Sequence, residues 1–378
     1  MSITPSQTSY AQIRLPSADL TADMDFLIAL GFRLDNIFPA DDPAVAMMSG
    51  YDLHLVLDNR VVSLPPVINI ITDHPQEIGD GASEYIAPNG TIFHVLPRTQ
   101  TLITPETLHH FEVRKLDNRD PWVIGRAGML YRDLIPDRLG GSIIASHIHV
   151  PDGGPVPDMV HYHTIGFQLI YCYRGWVKLV YEDQGPPFIL KAGDCVTQPP
   201  EIRHRVLEAS DDLHVIEIGV PAEHMTTIDH DMELPTTNFQ PDRLFQGQRF
   251  CHHQLKDAVW KPWRIPGFEY RETGILGATQ GDANVDVMRP SLGDEAVPLS
   301  RKHNQTNLQW VTHDTDILFS FVLEGSLVLD VEGQTTQTLK KGDAFVMPPY
   351  LKYALSNSSA DLEFLEVALP GSFVTMLA

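Results

Sequence analysis

Apolar and polar residues alternate in short runs along most of the chain, a period of two that marks strands with one buried face. Residues 167–173, 177–181, 318–323 and 326–331 are the clearest, each bounded by Gly, Pro and Asp turns. The first hundred residues follow another rhythm. Residues 11–16 read as a strand, and residues 19–30 read as an amphipathic helix with Leu20, Met24, Leu27 and Ile28 on one side. Gly31-Phe32 stops the helix and re-enters a strand, and strand-like runs at 32–38, 44–48 and 53–57 complete a βαβββ order. Residues 67–97 could form a shortened second copy, with a turn at Pro88-Asn89-Gly90 and a last strand over 91–96.

A repeat sets the organisation of the remainder. Pro121-Trp122 followed by Tyr131-Arg132-Asp133 recurs as Pro262-Trp263 followed by Tyr270-Arg271-Glu272. Downstream, Gly325 aligns with Gly175, Gly342-Asp343 with Gly193-Asp194, and Pro348-Pro349 with Pro199-Pro200. The chain therefore divides into a small α+β domain over residues 1–100 and two β-rich domains over 101–245 and 246–378.

Composition narrows the function. A net charge of −22 without a Lys/Arg run excludes nucleic acid and an anionic membrane surface as partners. A small anionic substrate stays compatible if a metal and Arg174, Arg203 or Arg205 supply local positive potential. No stretch approaches a membrane span, and residues 1–12 lack the basic start and apolar run of a secretory signal, so a cytoplasmic protein is expected. Cys172, Cys195 and Cys251 form no paired spacing and read as free thiols. Cys172 shares strand parity with Gln168 and Ile170, as a small core residue or a cavity wall.

The chemistry gathers around His161-Tyr162-His163. Alternate residues of a strand face the same way, so both imidazoles can reach one ion. Past a kink permitted at Gly166, Gln168 can turn its amide oxygen inward. After the Gly193-Asp194 turn, a short strand and the Pro199-Pro200 corner return a third imidazole, His204. Three imidazoles and one oxygen leave positions open on an octahedral ion, as in a reactive site.

This set resembles the cupin pattern. His161, His163, Gly175, Gly193, Pro199 and His204 match it; Gln168 stands for its glutamate, Glu201 for a glycine and Glu208 for an asparagine, and Gly154 lies one residue further from the first histidine than the pattern asks. The resemblance implies two tandem cupin barrels (double-stranded β-helix, jelly-roll) and a mainly β protein. It implies a divalent metal held in the first barrel by His161, His163, Gln168 and His204, and a homo-oligomer, commonly a dimer. In the second barrel the ligand positions hold Val311, His313, Leu318 and Tyr353, and one imidazole cannot hold an ion; a scaffold is expected there. A small-ligand site in that barrel would need convergent polar groups that the sequence does not locate.

The string Asp19-Leu20, Phe26, Leu30-Gly31-Phe32 within βαβββ resembles the glyoxalase and bleomycin-resistance (vicinal oxygen chelate) superfamily. That resemblance points to Gln12, His54 and His94 as the positions where ligands would stand; a metal-free structural or lid domain is the expectation.

The other histidines carry less. His147-Ile148-His149 has the H-x-H form without its followers. His109-His110 and His252-His253 are adjacent pairs that point to opposite faces of a strand, and His214, His224 and His230 lack ligand company. These adjacent pairs and single histidines read as surface or hydrogen-bonding residues. The expected function is a metal-dependent, dioxygenase-type oxidoreductase that uses Fe(II) on a small oxygen-rich or aromatic metabolite. With Zn, Ni or Mn the same centre would serve a non-redox lyase, isomerase or cyclase, or would retain a ligand without turnover. Glu201 and Tyr171 are the nearest general-base candidates. Strand parity points Tyr171 away from Gln168, and Glu201 could instead fix the tautomer of a ligand imidazole.

Overall fold

The computed structural model describes residues 9–29, 31–61, 67–86, 92–98, 102–116, 121–291 and 309–378. The expectations placed on Leu30, on Thr91 and on the Pro88-Asn89-Gly90 turn lie outside these residues. The fold is mainly β, and the chain forms two compact units. One comprises Met1–Ile103, Met159–Thr164 and Glu223–Met232; the other comprises Thr104–Asp158, Ile165–Ala222 and Glu233–Ala378. Among the described residues no helix is long and apolar enough to cross a membrane.

In the first unit the expected order holds: strand Tyr10–Pro16, helix Leu20–Ala29, then strands Arg33–Phe38, Val45–Gly50 and Leu53–Asp58. The Asp19 carboxylate accepts from the Ala22 N–H at 3.0 Å and caps the helix start. Leu20, Met24 and Leu27 pack against Ala46, Met48 and Leu57. Ile28, expected on the packed side, is instead half exposed; one hundred degrees beyond Leu27, it leaves the stripe that faces the sheet. The sheet continues through a pair of strands from later in the chain. Met225–Ile228 pairs with Arg33–Phe38, and His161–Thr164 pairs with Met225–Ile228 in turn, His161 opposite Ile228 and His163 opposite Thr226.

In the second unit two seven-stranded sheets repeat one another. The first runs Cys251–His253, Cys195–Thr197, Phe167–Arg174, Leu213–Val220, Ile144–Val150, Leu130–Asp133, Val123–Ile124. The second runs Glu112–Arg114, Ala344–Val346, Ile317–Glu324, Glu363–Leu369, Asn284–Pro290, Phe268–Glu272, Trp260–Pro262. The leading strand of each sheet is borrowed: Cys251–His253 lies beyond the expected boundary at 245, and Glu112–Arg114 comes from the start of the expected 101–245 domain. Strand pairing thus crosses the boundary between the repeats in both directions. Both arms are fixed alike. The Leu255 N–H donates to Asp194 at 2.7 Å and the Leu116 N–H to Asp343 at 2.8 Å.

The two large sheets share one core, in which Leu169, Ile216 and Ile218 of the first meet Val287, Phe319, Phe321 and Leu365 of the second. The opposite faces close separate interiors, around Cys172, Val177 and Leu179 in the first repeat and around Leu318, Val322 and Phe364 in the second. Central strands such as Ile317–Glu324 are apolar on both faces for that reason. Arg271 is fully buried in the region of the shared core and donates to the Tyr171 hydroxyl at 3.1 Å and to the Gly193 carbonyl at 2.9 Å.

Gly193 and Gly342 carry φ of +90° and +89°, and a Cβ on either would stand 2.6 Å from a Cδ2, of Leu255 and of Leu116 respectively. Gly193→Ala and Gly342→Ala should each lower stability by about 1–3 kcal/mol, the joint cost of a left-handed non-glycine residue and of overpacking. Denaturant midpoints check this; unchanged midpoints in both would show that the arm contacts do not fix the borrowed strands.

Candidate metal centre

His161 and His163 sit two residues apart on their strand, and both are buried. His204 opens the strand His204–Ala209, behind the Pro199-Pro200-Glu201 corner. Glu201 takes φ of +63° there, the left-handed conformation in which a glycine is the unstrained choice, and Tyr350 takes +64° at the matching place in the repeat. A ring nitrogen from each of His161, His163 and His204 lies within 4.8 Å of the other two.

Their outer nitrogens are engaged by the protein. His161 Nδ1 bonds the Met159 carbonyl at 2.8 Å, His204 Nδ1 the Ile202 carbonyl at 2.9 Å, and His163 Nδ1 the Thr226 hydroxyl at 2.9 Å. A carbonyl only accepts, so in the neutral rings of His161 and His204 the proton is on Nδ1 and the lone pair on Nε2, the arrangement in which metal-ligating histidines are held. Burial pushes the His204 pKa down to about 4 and keeps the ring in its ligating, neutral form. Tyr181 stacks on the His204 ring, centroids 5.5 Å apart, and is itself held by Gln198 through a 2.9 Å bond to its hydroxyl.

Gln168 donates from Nε2 to Glu217 Oε1 at 2.6 Å, and its Oε1 is buried with no hydrogen-bond partner among the described residues. An amide oriented this way offers an uncommitted oxygen, the atom a metal would take. The three imidazoles suit a divalent ion, and the Gln168 oxygen is free to serve as the fourth donor that the cupin resemblance implies. Glu217 was not singled out from sequence. The signal was present, since it is the one acid in Leu213–Val220, and it shares a face with Gly219, the cross-strand partner of Gln168.

The two base candidates part company. The Tyr171 hydroxyl accepts from Arg271, its ring belongs to the core shared by the two large sheets, and burial pushes its pKa up. A phenol committed to a buried guanidinium on the far face from Gln168 is a structural group, so the base assignment of Tyr171 is withdrawn. Glu201 remains half-buried, its carbonyl held by Arg203 Nη1 at 3.0 Å. Cys172 packs as a core residue, and burial raises its thiol pKa to about 12. Arg174, an expected source of positive potential, is mostly exposed and pairs with Asp212 at 2.9 Å.

In the first unit Gln12 stands opposite His54 on one side and Asn69 on the other, with Asn69 opposite His94; His94 Nε2 lies 3.3 Å from the Glu84 carboxylate.

His214 does have company, contrary to the sequence reading. His149 and His214 face each other across antiparallel strands and stack at 4.3 Å, and with Asp212 they form a second group with ligand-type atoms within 4.8 Å. Hydrogen-bond direction shows what this group is. Arg132 donates to His147 Nδ1 at 3.2 Å, so the His147 proton is on Nε2 and is given to His214 Nδ1 at 2.9 Å. The His214 proton is then on Nε2 and is given to Asp212 at 3.1 Å. An ion at His214 Nε2 would have to reverse the whole relay against a guanidinium that cannot accept, so the group is a directed hydrogen-bond chain.

Burial, with Arg132 beside it, holds His147 neutral, its pKa lowered from 6.5 to about 2. The unfolded chain takes up that proton below about pH 6.5 and the folded chain does not, so stability is lost as pH falls through this window, with a slope of up to about 1.4 kcal/mol per pH unit. Melting temperatures between pH 7 and pH 4 should show this part of the slope in the wild type and lose it in His147→Phe; parallel slopes would mean that His147 is not held neutral.

Comparison with known proteins agrees with this architecture. The cupin domain family model matches residues 303–368, in the repeat whose ligand positions hold Val311, Leu318 and Tyr353. No curated protein sequence matches the chain. Among solved structures, a variant of salicylate 1,2-dioxygenase from Pseudoaminobacter salicylatoxidans in complex with gentisate is similar at 16% identity and a TM-score of 0.50, over 73% of this chain and 88% of that one. Oxalate decarboxylase from Lactobacillus farciminis, as a formate complex, is similar at 11% identity and a TM-score of 0.48, over 74% of this chain and 90% of that one. With the cupin domain model matched at residues 303–368 and structural similarity to the salicylate 1,2-dioxygenase variant over 73% of the chain, the fold is cupin-like.

Proposed function

We propose that the chain is a metal-dependent enzyme, a dioxygenase-type oxidoreductase acting on a small oxygen-rich or aromatic metabolite at His161, His163, Gln168 and His204. The observation that carries the reading is the trio of imidazoles within 4.8 Å of one another, each tied to the protein through Nδ1. A closed structural site would need a full set of protein donors; this set leaves positions for substrate on an octahedral ion. When bound, a divalent ion would polarise an oxygen-bearing substrate, and Fe(II) would add dioxygen chemistry.

The residues of the chain supply orientation and charge. The three imidazoles and the Gln168 amide would be uncharged donors, and the Glu217 carboxylate acts from behind Gln168 through a 2.6 Å bond. This arrangement preserves more of the positive charge of an ion than a direct carboxylate would, and favours anionic or readily polarised substrates. Glu201 is the remaining candidate for a base, on the corner that delivers His204. The gentisate bound to the salicylate dioxygenase variant is an aromatic compound rich in oxygen and supports the same substrate class. The cupin resemblance adds a homo-oligomer, commonly a dimer, read by light scattering, and the separate resemblance of residues 1–100 to the glyoxalase superfamily adds a metal-free module there.

Protein purified anaerobically should contain about one equivalent of metal per chain, lost in His161→Ala and His204→Ala and retained in His313→Ala and His214→Ala. Elemental analysis with circular dichroism, to exclude unfolding, decides this; equal loss from His313→Ala would place the metal in the wrong repeat. Iron with oxygen uptake supports the oxygenase, whereas Zn, Ni or Mn with turnover in the absence of oxygen uptake assigns a lyase, isomerase or cyclase. Gln168→Glu sets two carboxylates against each other, and without metal one of them must hold a proton. That variant should retain the ion and change turnover by tenfold or more; unaltered kinetics would remove Gln168 from the ligand set.

A further inference from the structure

The second repeat has lost the histidine set and yet keeps a polar interior. Asp286, Glu366 and Ser320 stand in register on three adjacent strands, Glu366 opposite both of the others. They lie on the same face as Met288, Leu318, Val322 and Phe364, the residues that line the interior of this repeat. The facing sheet contributes His313 and Tyr353, ring centroids 6.3 Å apart, at two of the positions where the cupin pattern places metal ligands. Arg264 joins the group, bonded to Glu366 at 2.7 Å and stacked over Trp263 at 4.2 Å and Phe373 at 5.0 Å. The charges of Glu366 and Arg264 act on Asp286, His313 and Tyr353 alike, so the groups share one space.

Much of this hydrogen-bonding capacity is unspent. Asp286 Oδ1, His313 Nδ1, Ser320 Oγ and Arg264 Nε are buried with no hydrogen-bond partner among the described residues, while Asp286, His313 and Ser320 are each more than nine-tenths buried. Buried polar atoms are costly when unpaired, and four in one interior call for a partner. His313 Nε2 bonds the Met347 carbonyl at 3.1 Å, and the Thr315 backbone also acts on the ring as a hydrogen-bond neighbour. Arg264 Nε offers a donor, Ser320 can do either, and Asp286 Oδ1 accepts, its other oxygen being held by Asn284 at 2.7 Å. Among the described residues the one cation of this group, Arg264, is already matched by Glu366, and Asp286 is a second acid, so the described groups hold no surplus positive charge for an anion.

We propose that the interior of the second repeat is a binding site for a small uncharged polyhydroxylated molecule, held by Asp286, His313, Ser320 and Arg264 within aromatic walls. It is independent of the metal centre and needs no ion. Hydroxyl groups match the mixed set of donors and acceptors, and the Arg264–Glu366 pair fixes the chamber without attracting a carboxylate.

The test uses the full chain with glycerol, erythritol and xylitol as probes and glycerate as the anionic counterpart. Saturation-transfer NMR should show binding of at least one polyol and weaker or absent binding of glycerate, and crystals grown without polyol and soaked with each polyol in turn should show at least one of them bridging Asp286, Ser320 and His313. Asp286→Asn and Ser320→Ala, two substitutions that preserve shape, should each weaken binding by about tenfold, the effect of one lost buried hydrogen bond, while His161→Ala leaves it unchanged. Ordered water alone after all three soaks, equal binding of glycerate, or undiminished binding in both variants would overturn the proposal.

Discussion

Everything in the larger unit depends on one apolar contact surface, the core that the two seven-stranded sheets build between them. Each sheet is apolar on both faces because it must close its own interior and also meet the other sheet. That double demand explains why central strands read as nearly unbroken hydrophobic runs. It also explains the buried Arg271: a cation at this surface is tolerable only because a phenol and a carbonyl meet it, which turns Tyr171 from a candidate for catalysis into part of the framework.

The two interiors show what a repeat can do once its halves diverge. In one, two backbone carbonyls and a threonine hydroxyl hold imidazoles by their outer nitrogens, and an acid one bond behind Gln168 takes the place of an acid in the site. In the other, an acid at the equivalent strand position, Glu366, faces a guanidinium, and the imidazole that survives turns its Nε2 to the backbone. Glu217 and Glu366 are thus the same position put to two uses. The direction of the hydrogen bonds separates the rings of His161 and His204, held through Nδ1, from a relay such as His147 and His214.

Period and spacing made a good part of this legible. The βαβββ order at the N-terminus, the two-residue separation of His161 and His163, and the Gly-Asp and Pro-Pro punctuation of the repeat all depend on residues close in sequence, where local rules act. What escaped depended on register between distant strands. Nothing near His149 announces that His214 will stack on it, and Asp286, Ser320 and Glu366 come from three separated strands whose pairing alone makes them a row. The borrowed leading strands escaped for the same reason: Glu112–Arg114 and Cys251–His253 are short runs whose partners lie in the opposite repeat. Ile28 shows the limit within a single helix, where the stripe is narrower than its apolar composition suggests.

The reciprocal arms have a consequence for how such a chain can be cut or assembled. Covalent linkage keeps each arm at a high effective concentration near its slot, so exchange within one molecule outcompetes exchange between molecules. A repeat produced alone would carry an arm with no slot and a sheet edge with no arm, and a second copy of itself would be the nearest complement to both. Severing the connection between the repeats would therefore exchange a unimolecular closure for a concentration-dependent one, and the separated pieces would meet as swapped partners before they behaved as independent domains.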